Sequence, residues 1–455
     1  MKRFISLLLT LLFLGTMLIS CTEQNQDSSL ALSEAEESSQ AEESKPVIII
    51  NTDPNYANVA LNKSYEKSSL YPADAPSYPD EGNKSMTDGI RPSASASYSD
   101  KAFMAFNRNS LDYPTTGYSS LTVDLGDIYY VDKFVANVAS SYYDSVGIGA
   151  PSYAWIMLSN DGKEWYRAGQ TSHTDDNTVN TLESTLVLDS ALTARYIQYR
   201  FVVGAAGWIF VSEVEAFGIK ADAPIDYPEI KEEKKILFVG NSSTYYFNIP
   251  DKVYLLAESA GVNIVADYCC RGSAYLSYFA DETHELGKIF REKIKAKKYD
   301  IVVLQDNSGA DNAESKPAVE VLAKLIRETG AEVALYKRYS SNDDPTQRLD
   351  SAYRHQVNYT QLAKDFSIEK VAPGADAFLI CTQKYPNINL YFTDNSHHGE
   401  TGAYLLACTL AKTMLGLDLS KATYTAGLDE ATVNALKDCA NIACEQGFDY
   451  PQDNK

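Results

Sequence analysis

The chain has 455 residues and carries 61 Asp and Glu against 40 Lys and Arg, a formal charge of −21. So acidic a surface is a poor match for nucleic acid or an anionic membrane, and it suits a neutral substrate or partner. The length exceeds one ordinary domain and fits two.

Lys2 and Arg3 precede an apolar core at 8–18, which Leu18-Ile19-Ser20-Cys21 closes. The pattern predicts an export signal over residues 1–20. Its four closing residues resemble the lipobox of bacterial lipoproteins. That resemblance implies lipid on Cys21, an extracytoplasmic location, and a membrane held by the lipid anchor only. A secreted protein with an incidental Cys21 is the alternative. Without Lys2 and Arg3 the balance is 38 basic against 61 acidic residues, or −23. Residues 21–46 have hardly a large apolar group, so they read as a disordered tether.

Residues 47–220 read as all-β. Short alternating runs recur as LTVDL at 121–125, VDKFV at 131–135, AWIML at 154–158 and ARYIQY at 194–199, with turn residues such as SNDG at 159–162 between them. Many short, punctuated strands predict a sandwich or jelly roll. The segments NVALNKSY at 58–65, MTDG at 86–89, SNDGKEW at 159–165 and VSEVEAFG at 211–218, in this order, resemble the discoidin or coagulation-factor type C family, which includes the family 32 carbohydrate-binding modules. The resemblance implies a galactose-binding-like jelly roll that takes sugars at loops. It also implies a structural calcium with Asp88 and Glu213 among its ligands, although Ile90 stands where the family often has Asn. Calcium needs several hard oxygens, of which these two residues give only part. Trp155 and Trp165 lie in or beside strands and read as packing. Trp208 follows GAAG at 204–207, on an expected loop, and is the candidate for stacking on a sugar.

Residues 221–233 are proline-spaced and charged and read as a semi-stiff linker. From residue 234 the pattern changes. Apolar runs at 236–239, 262–266, 300–304 and 331–335 alternate with amphipathic stretches such as 250–260 and 318–329. This predicts an α/β three-layer domain over 234–455, with a parallel sheet and chemistry at the carboxyl ends of its strands. The six cysteines after Cys21 (Cys269, Cys270, Cys381, Cys408, Cys439 and Cys444) lack zinc-site spacing with histidine. Cys439 and Cys444 are spaced to pair in an exported protein, with buried free thiols as the alternative.

Ser242 lies just past the strand at 236–239, in Gly240-Asn241-Ser242. A serine hydroxyl needs a base, and the base needs an orienting acid. Of the later histidines, His397 has a carboxylate three residues earlier, Asp394, in TDNSHHGETGAYLLA at 393–407. The arrangement resembles the SGNH (GDSL-like) hydrolases. Their opening Gly-Asp-Ser corresponds to residues 240–242, and their closing Asp-x-x-His with a glycine five residues on corresponds to Asp394, His397 and Gly402, a register His398 does not fit. The resemblance implies an oxyanion hole in which Gly272, in Arg271-Gly272-Ser273, gives its backbone N–H. The family's third block, Gly-x-Asn-Asp, is displaced here to VVLQDNSGA at 302–310, so Asn307 is the candidate third donor and Gln305 the alternative. The implied activity is a serine esterase needing no metal or organic cofactor for catalysis. A sugar-binding module beside it points to an acylated polysaccharide or glycan as partner. A non-catalytic glycan-binding lipoprotein with a degenerate hydrolase domain is the rival reading, and a lipid or thioester substrate is another.

Overall fold

The structure is a computed structural model that describes residues 47–451, except 94, 176, 205, 230–232, 342 and 343. The expected signal, lipidation site Cys21 and tether lie outside the described residues. From Val47 onward the chain forms one compact unit. No helix among the described residues is long and apolar enough to cross a membrane.

The first half is antiparallel. Its strands are β1 (Ala57–Asn58), β2 (Ser64–Lys67), β3 (Met104–Asn107), β4 (Ser119–Ala139), β5 (Pro151–Ser159), β6 (Tyr166–Gln170), β7 (Thr181–Val203) and β8 (Trp208–Lys220). A short helix α1 (Tyr113–Thr116) precedes β4. The runs at 121–125 and 131–135, read as separate strands, are two ends of the single long strand β4. Its pairing with β7 breaks between Asp124 and Tyr129 and again between Val131 and Lys133. Gly126, with φ of +79°, makes the bend, a conformation that side chains with a Cβ resist. The amino-terminal part of β4 pairs with β2 and with the end of β7, which in turn pairs with β5, whereas its carboxyl-terminal part pairs with β8 and the start of β7. Two facing layers thus share bent strands. Leu121, Val123, Ile156, Leu158, Phe134 and Val211 fill the space between them.

The second half has five parallel strands, β9 (Lys234–Gly240), β10 (Ile264–Cys270), β11 (Ile301–Leu304), β12 (Glu332–Lys337) and β13 (Lys370–Pro373), in the order β10-β9-β11-β12-β13. Alternation along β9 sends Ile236 and Phe238 to one apolar cluster and Leu237 and Val239 to the other, so both faces are covered. The helices are α2 (Ser242–Tyr245), α3 (Ile249–Ser259), α4 (Leu276–Ala280), α5 (Glu285–Ala296), α6 (Asn312–Glu328), α7 (Pro345–Asp365), α8 (Gly374–Lys384), α9 (Glu400–Leu415) and α10 (Glu430–Gln446). Helix α6 begins well before the expected residue 318 because Asp311 and Glu314 form a reciprocal capping box. All six described cysteines are free thiols, so the pairing of Cys439 with Cys444 is not formed.

The halves are not beads on a linker. Tyr153, Trp155, Met157 and Val202, on the outer face of the sandwich, belong to the same buried cluster as Phe247, Tyr254 and Leu256 of the α/β half. Trp155 therefore packs, but against the other half. Its ring meets Tyr254 edge-on at 5.1 Å, and the Arg167 guanidinium lies 4.5 Å from the one ring and 4.2 Å from the other. Polar groups close the same seam: Tyr113 Oη donates to Asn248 Oδ1 at 3.0 Å, and Asn248 Nδ2 donates to the Val203 carbonyl at 2.8 Å. The expected linker is also strapped down. Tyr227 stacks on Tyr166 at 4.9 Å and donates to the Thr193 carbonyl at 2.8 Å.

Candidate active site

The chemistry-bearing residues gather where β9, β10, β11 and β12 end, as expected for a parallel sheet. At the tip of β9 only glycine fits at 240: a Cβ there would lie 2.6 Å from Gln305 Oε1 and 2.8 Å from Thr244 Oγ1. The close approach lets Gln305 Oε1 accept from the Asn241 N–H at 3.0 Å and from Thr244 Oγ1 at 2.8 Å. Asn241 caps α2 by accepting from the Ser243 N–H, and its Nδ2 reaches the Ala274 carbonyl at 3.0 Å. Ser242 is the first residue of α2.

Its hydroxyl meets an imidazole. Ser242 Oγ is 2.8 Å from His397 Nε2, and His397 Nδ1 is 2.7 Å from Asp394 Oδ2. The other carboxylate oxygen accepts from the backbone N–H groups of Ser396 at 2.9 Å and His397 at 2.8 Å. Burial raises the Asp394 carboxyl, but these bonds, led by that from the His397 N–H, hold it below the ordinary value. His398 is separate. It is fully buried, with Nδ1 3.0 Å from Tyr339 Oη and Nε2 2.7 Å from the Tyr246 carbonyl, and burial drives its pKa down to about 3. Gly402 holds the loop against the start of α9, since a Cβ there would sit 2.2 Å from the Leu390 carbonyl oxygen.

Gly272 follows β10 in an exposed turn beside Ser273, which holds φ of +59°. Asn307 Nδ2 donates to the Ser273 carbonyl at 3.0 Å, which joins the second and third blocks. Gln305 is spent elsewhere: its oxygen supports Asn241 and its Nε2 donates to the Asp306 carbonyl. Asn307 is the amide beside the turn, and its Oδ1 also accepts from the Gly309 N–H at 3.0 Å. Asp306 braces the loops beneath, accepting from the Leu276 N–H at 2.9 Å, the Asn307 N–H at 2.7 Å and Ser315 Oγ at 2.7 Å.

Sequence reasoning missed Tyr246 and Arg108. Tyr246 stacks on the His397 ring at 4.2 Å, and the Arg108 guanidinium, from the sandwich, lies 5.1 Å from the Tyr246 ring. No spacing signals a contact between residues 108, 246 and 397; the seam between the halves makes it.

The sandwich candidates lie apart. Trp208 opens β8 and is not on a loop as expected. Tyr71, Tyr78 and Phe210 surround it, with ring centroids at 6.0, 5.7 and 6.1 Å. Asp88 and Glu213 share one turn: Asp88 Oδ1 accepts from the Ile90 N–H at 2.8 Å, and Glu213 Oε1 accepts from the Gly89 N–H at 3.0 Å. Glu213 Oε2 is enclosed without a partner. Burial, with Asp88 and Glu215 adding, pushes the Glu213 carboxyl up to about 8. A bare, enclosed carboxylate oxygen beside a second carboxylate fits a hard cation. No group of three or more His, Cys, Asp or Glu gathers among the described residues, so these two carboxylates give only part of a shell.

No family model and no curated protein matches the chain. Solved structures do. A protein of Slackia heliotrinireducens, provisionally described as an SGNH hydrolase, is 23% identical over 40% of this chain and 100% of its own, with a TM-score of 0.35. A family two carbohydrate esterase from Cellvibrio japonicus is 11% identical over 80% of this chain and 98% of its own, with a TM-score of 0.37. A family 32 carbohydrate-binding module of Clostridium perfringens NanJ, solved with galactose, is 15% identical over 36% of this chain and 98% of its own, with a TM-score of 0.25. At these values the likenesses carry no argument about what this chain does.

Proposed function

We propose that this protein is a serine ester hydrolase of acylated glycans, held outside the cell by lipid on Cys21. One observation carries the reading: a hydroxyl, an imidazole and a carboxylate in line, at 2.8 Å and 2.7 Å. Ser242 Oγ attacks the ester carbonyl while His397 Nε2 takes its proton. Asp394 holds the Nδ1–H and steadies the imidazolium. The carbonyl oxygen becomes an oxyanion, held by the N–H groups of Ser242 and Gly272 and by Asn307. His397 returns the proton to the departing alcohol. Water then attacks the acyl-serine, giving its proton to His397, which passes it to Ser242 Oγ as the acid leaves. The glycan as substrate rests on the pairing of a sugar-binding-like sandwich with this site.

A fluorophosphonate probe should add once, to Ser242, and the protein should release acetate from acetylated glycans faster than fatty acid from acyl lipids. A folded protein that takes no adduct is a binding protein instead. Faster release from lipids would reject the glycan.

We also propose that calcium is held by Asp88 and Glu213. Without a cation Glu213 must keep its proton to remain buried. Its contribution to stability is then fully present below its ordinary value of 4.5 and lost as pH rises towards about 8. Millimolar calcium should therefore raise the melting temperature more at pH 7.5 than at pH 5, and Glu213→Gln should erase the difference. Equal melting with calcium and with chelator at pH 7.5 would reject the site.

A further inference from the structure

Beyond β12 the chain reads Lys337-Arg338-Tyr339-Ser340. Other buried cations here are answered: Lys337 pairs with Asp376 at 2.8 Å, Lys252 pairs with Glu400 at 2.7 Å, and Arg108 donates to the Gly204 and Ala206 carbonyls. Arg338 is not. It is 5% exposed, yet it forms no ion pair with a described residue, and its polar partner is the neutral Tyr339 side chain. Its Nε is enclosed without a partner. The Tyr339 ring lies 4.8 Å from the guanidinium. Two residues on, Ser340 is 2% exposed, and its Oγ is likewise enclosed and unpartnered. Buried polar groups are nearly always satisfied, and an unpaired buried charge is among the costliest things a fold can hold. Two such orphans beside each other call for a ligand.

Their place tells which one. Tyr339 Oη accepts from the His398 N–H at 2.9 Å and reaches the Ser396 carbonyl at 3.4 Å, so the segment is tied to the residues on both sides of His397. On the other side His355 bridges the Arg338 carbonyl, at 3.1 Å, to the Ser308 carbonyl, at 3.5 Å, next to Asn307. The segment therefore borders the proposed reaction centre. A guanidinium with no carboxylate partner among the described residues matches the two oxygens of a carboxylate.

We propose that Arg338 and Ser340 form a subsite for a carboxylate borne by the ester substrate. This deepens the hydrolase reading and rests on it. The carboxylate has two sources, a uronate sugar or a dicarboxylic acyl group esterified through one end. The net negative charge of the chain does not oppose this, since repulsion between exposed charges is screened within about 8 Å at physiological salt.

The test compares matched esters: acetylated glucuronate against acetylated glucose, and a p-nitrophenyl hemisuccinate against p-nitrophenyl butyrate. Wild type should prefer the carboxylate member of one pair by about 10-fold or more in kcat/KM. The pair that responds identifies the source. Arg338→Gln should remove that preference, chiefly through KM, and leave the neutral ester within about 3-fold. Arg338→Lys should restore part of it. No preference in either pair while Ser242 accepts the fluorophosphonate would overturn the subsite and spare the hydrolase. Should Ser242 take no adduct, the hydrolase reading falls. The subsite is then judged on the full-length protein by whether glucuronate or succinate raises its melting temperature in an Arg338-dependent way. The absence of such a shift overturns it.

Discussion

Ser242→Ala should lose turnover of any ester by about 10⁴-fold or more, the scale on which triad nucleophiles fail when removed. The Oγ has one hydrogen-bond partner, His397, and the neighbouring turn is held by Asn241, Gln305 and Thr244. Deleting the hydroxyl leaves these in place, so unfolding should change by no more than about 0.5 kcal/mol. Asp394→Asn should lose activity on the same scale by a different route. An amide can donate to Nδ1 and stabilise the wrong tautomer, which leaves Nε2 protonated and unable to accept from serine. Rates on a generic acetyl ester, with melting curves recorded beside them, check both. A Ser242→Ala protein that still turns over would show that the reaction belongs to another residue.

Trp155→Ala should destabilise the protein by about 3–5 kcal/mol, the usual range for emptying a large aromatic from a core. The magnitude follows from where the ring goes. It is 5% exposed although it points away from the sandwich interior, because Tyr153, Tyr254 and the Arg167 guanidinium enclose it. Removing it also strips a neighbour from Asp251, a buried carboxyl that burial already raises to about 6 and that Tyr268 Oη helps hold at 3.1 Å. The two halves share this cluster, so they should unfold in one transition on heating. Two separated transitions, with the substitution moving only one, would show that the seam carries little of the stability.

Local pattern was enough for the elements. Buried runs at 236–239 and 300–304 became β9 and β11, and amphipathic spacing at 250–260 became α3. The strand β13 passed unnoticed because Lys370-Val371-Ala372-Pro373 is short and half-polar, and only its pairing with β12 makes it a strand. The pair Asp394 and His397 was legible because three residues of one loop carry it. The displaced third block was legible only to the level of two amides. That Gln305 turns inward while Asn307 lies beside the turn is something a strand end does not announce.

By itself the sequence determined the two kinds of fold and the residues able to form a serine–histidine–aspartate line, since hydrophobic periodicity and short motifs are local properties. Only the tertiary structure decided that Ser242 and His397, 155 positions apart, are 2.8 Å from each other, that Trp155 faces the other half, and that Arg338 is buried with no ion pair to a described residue. The reason is physical. Burial, pairing and the energy of an isolated charge are set by what packs around a side chain, and those neighbours come from strands and loops remote in the chain.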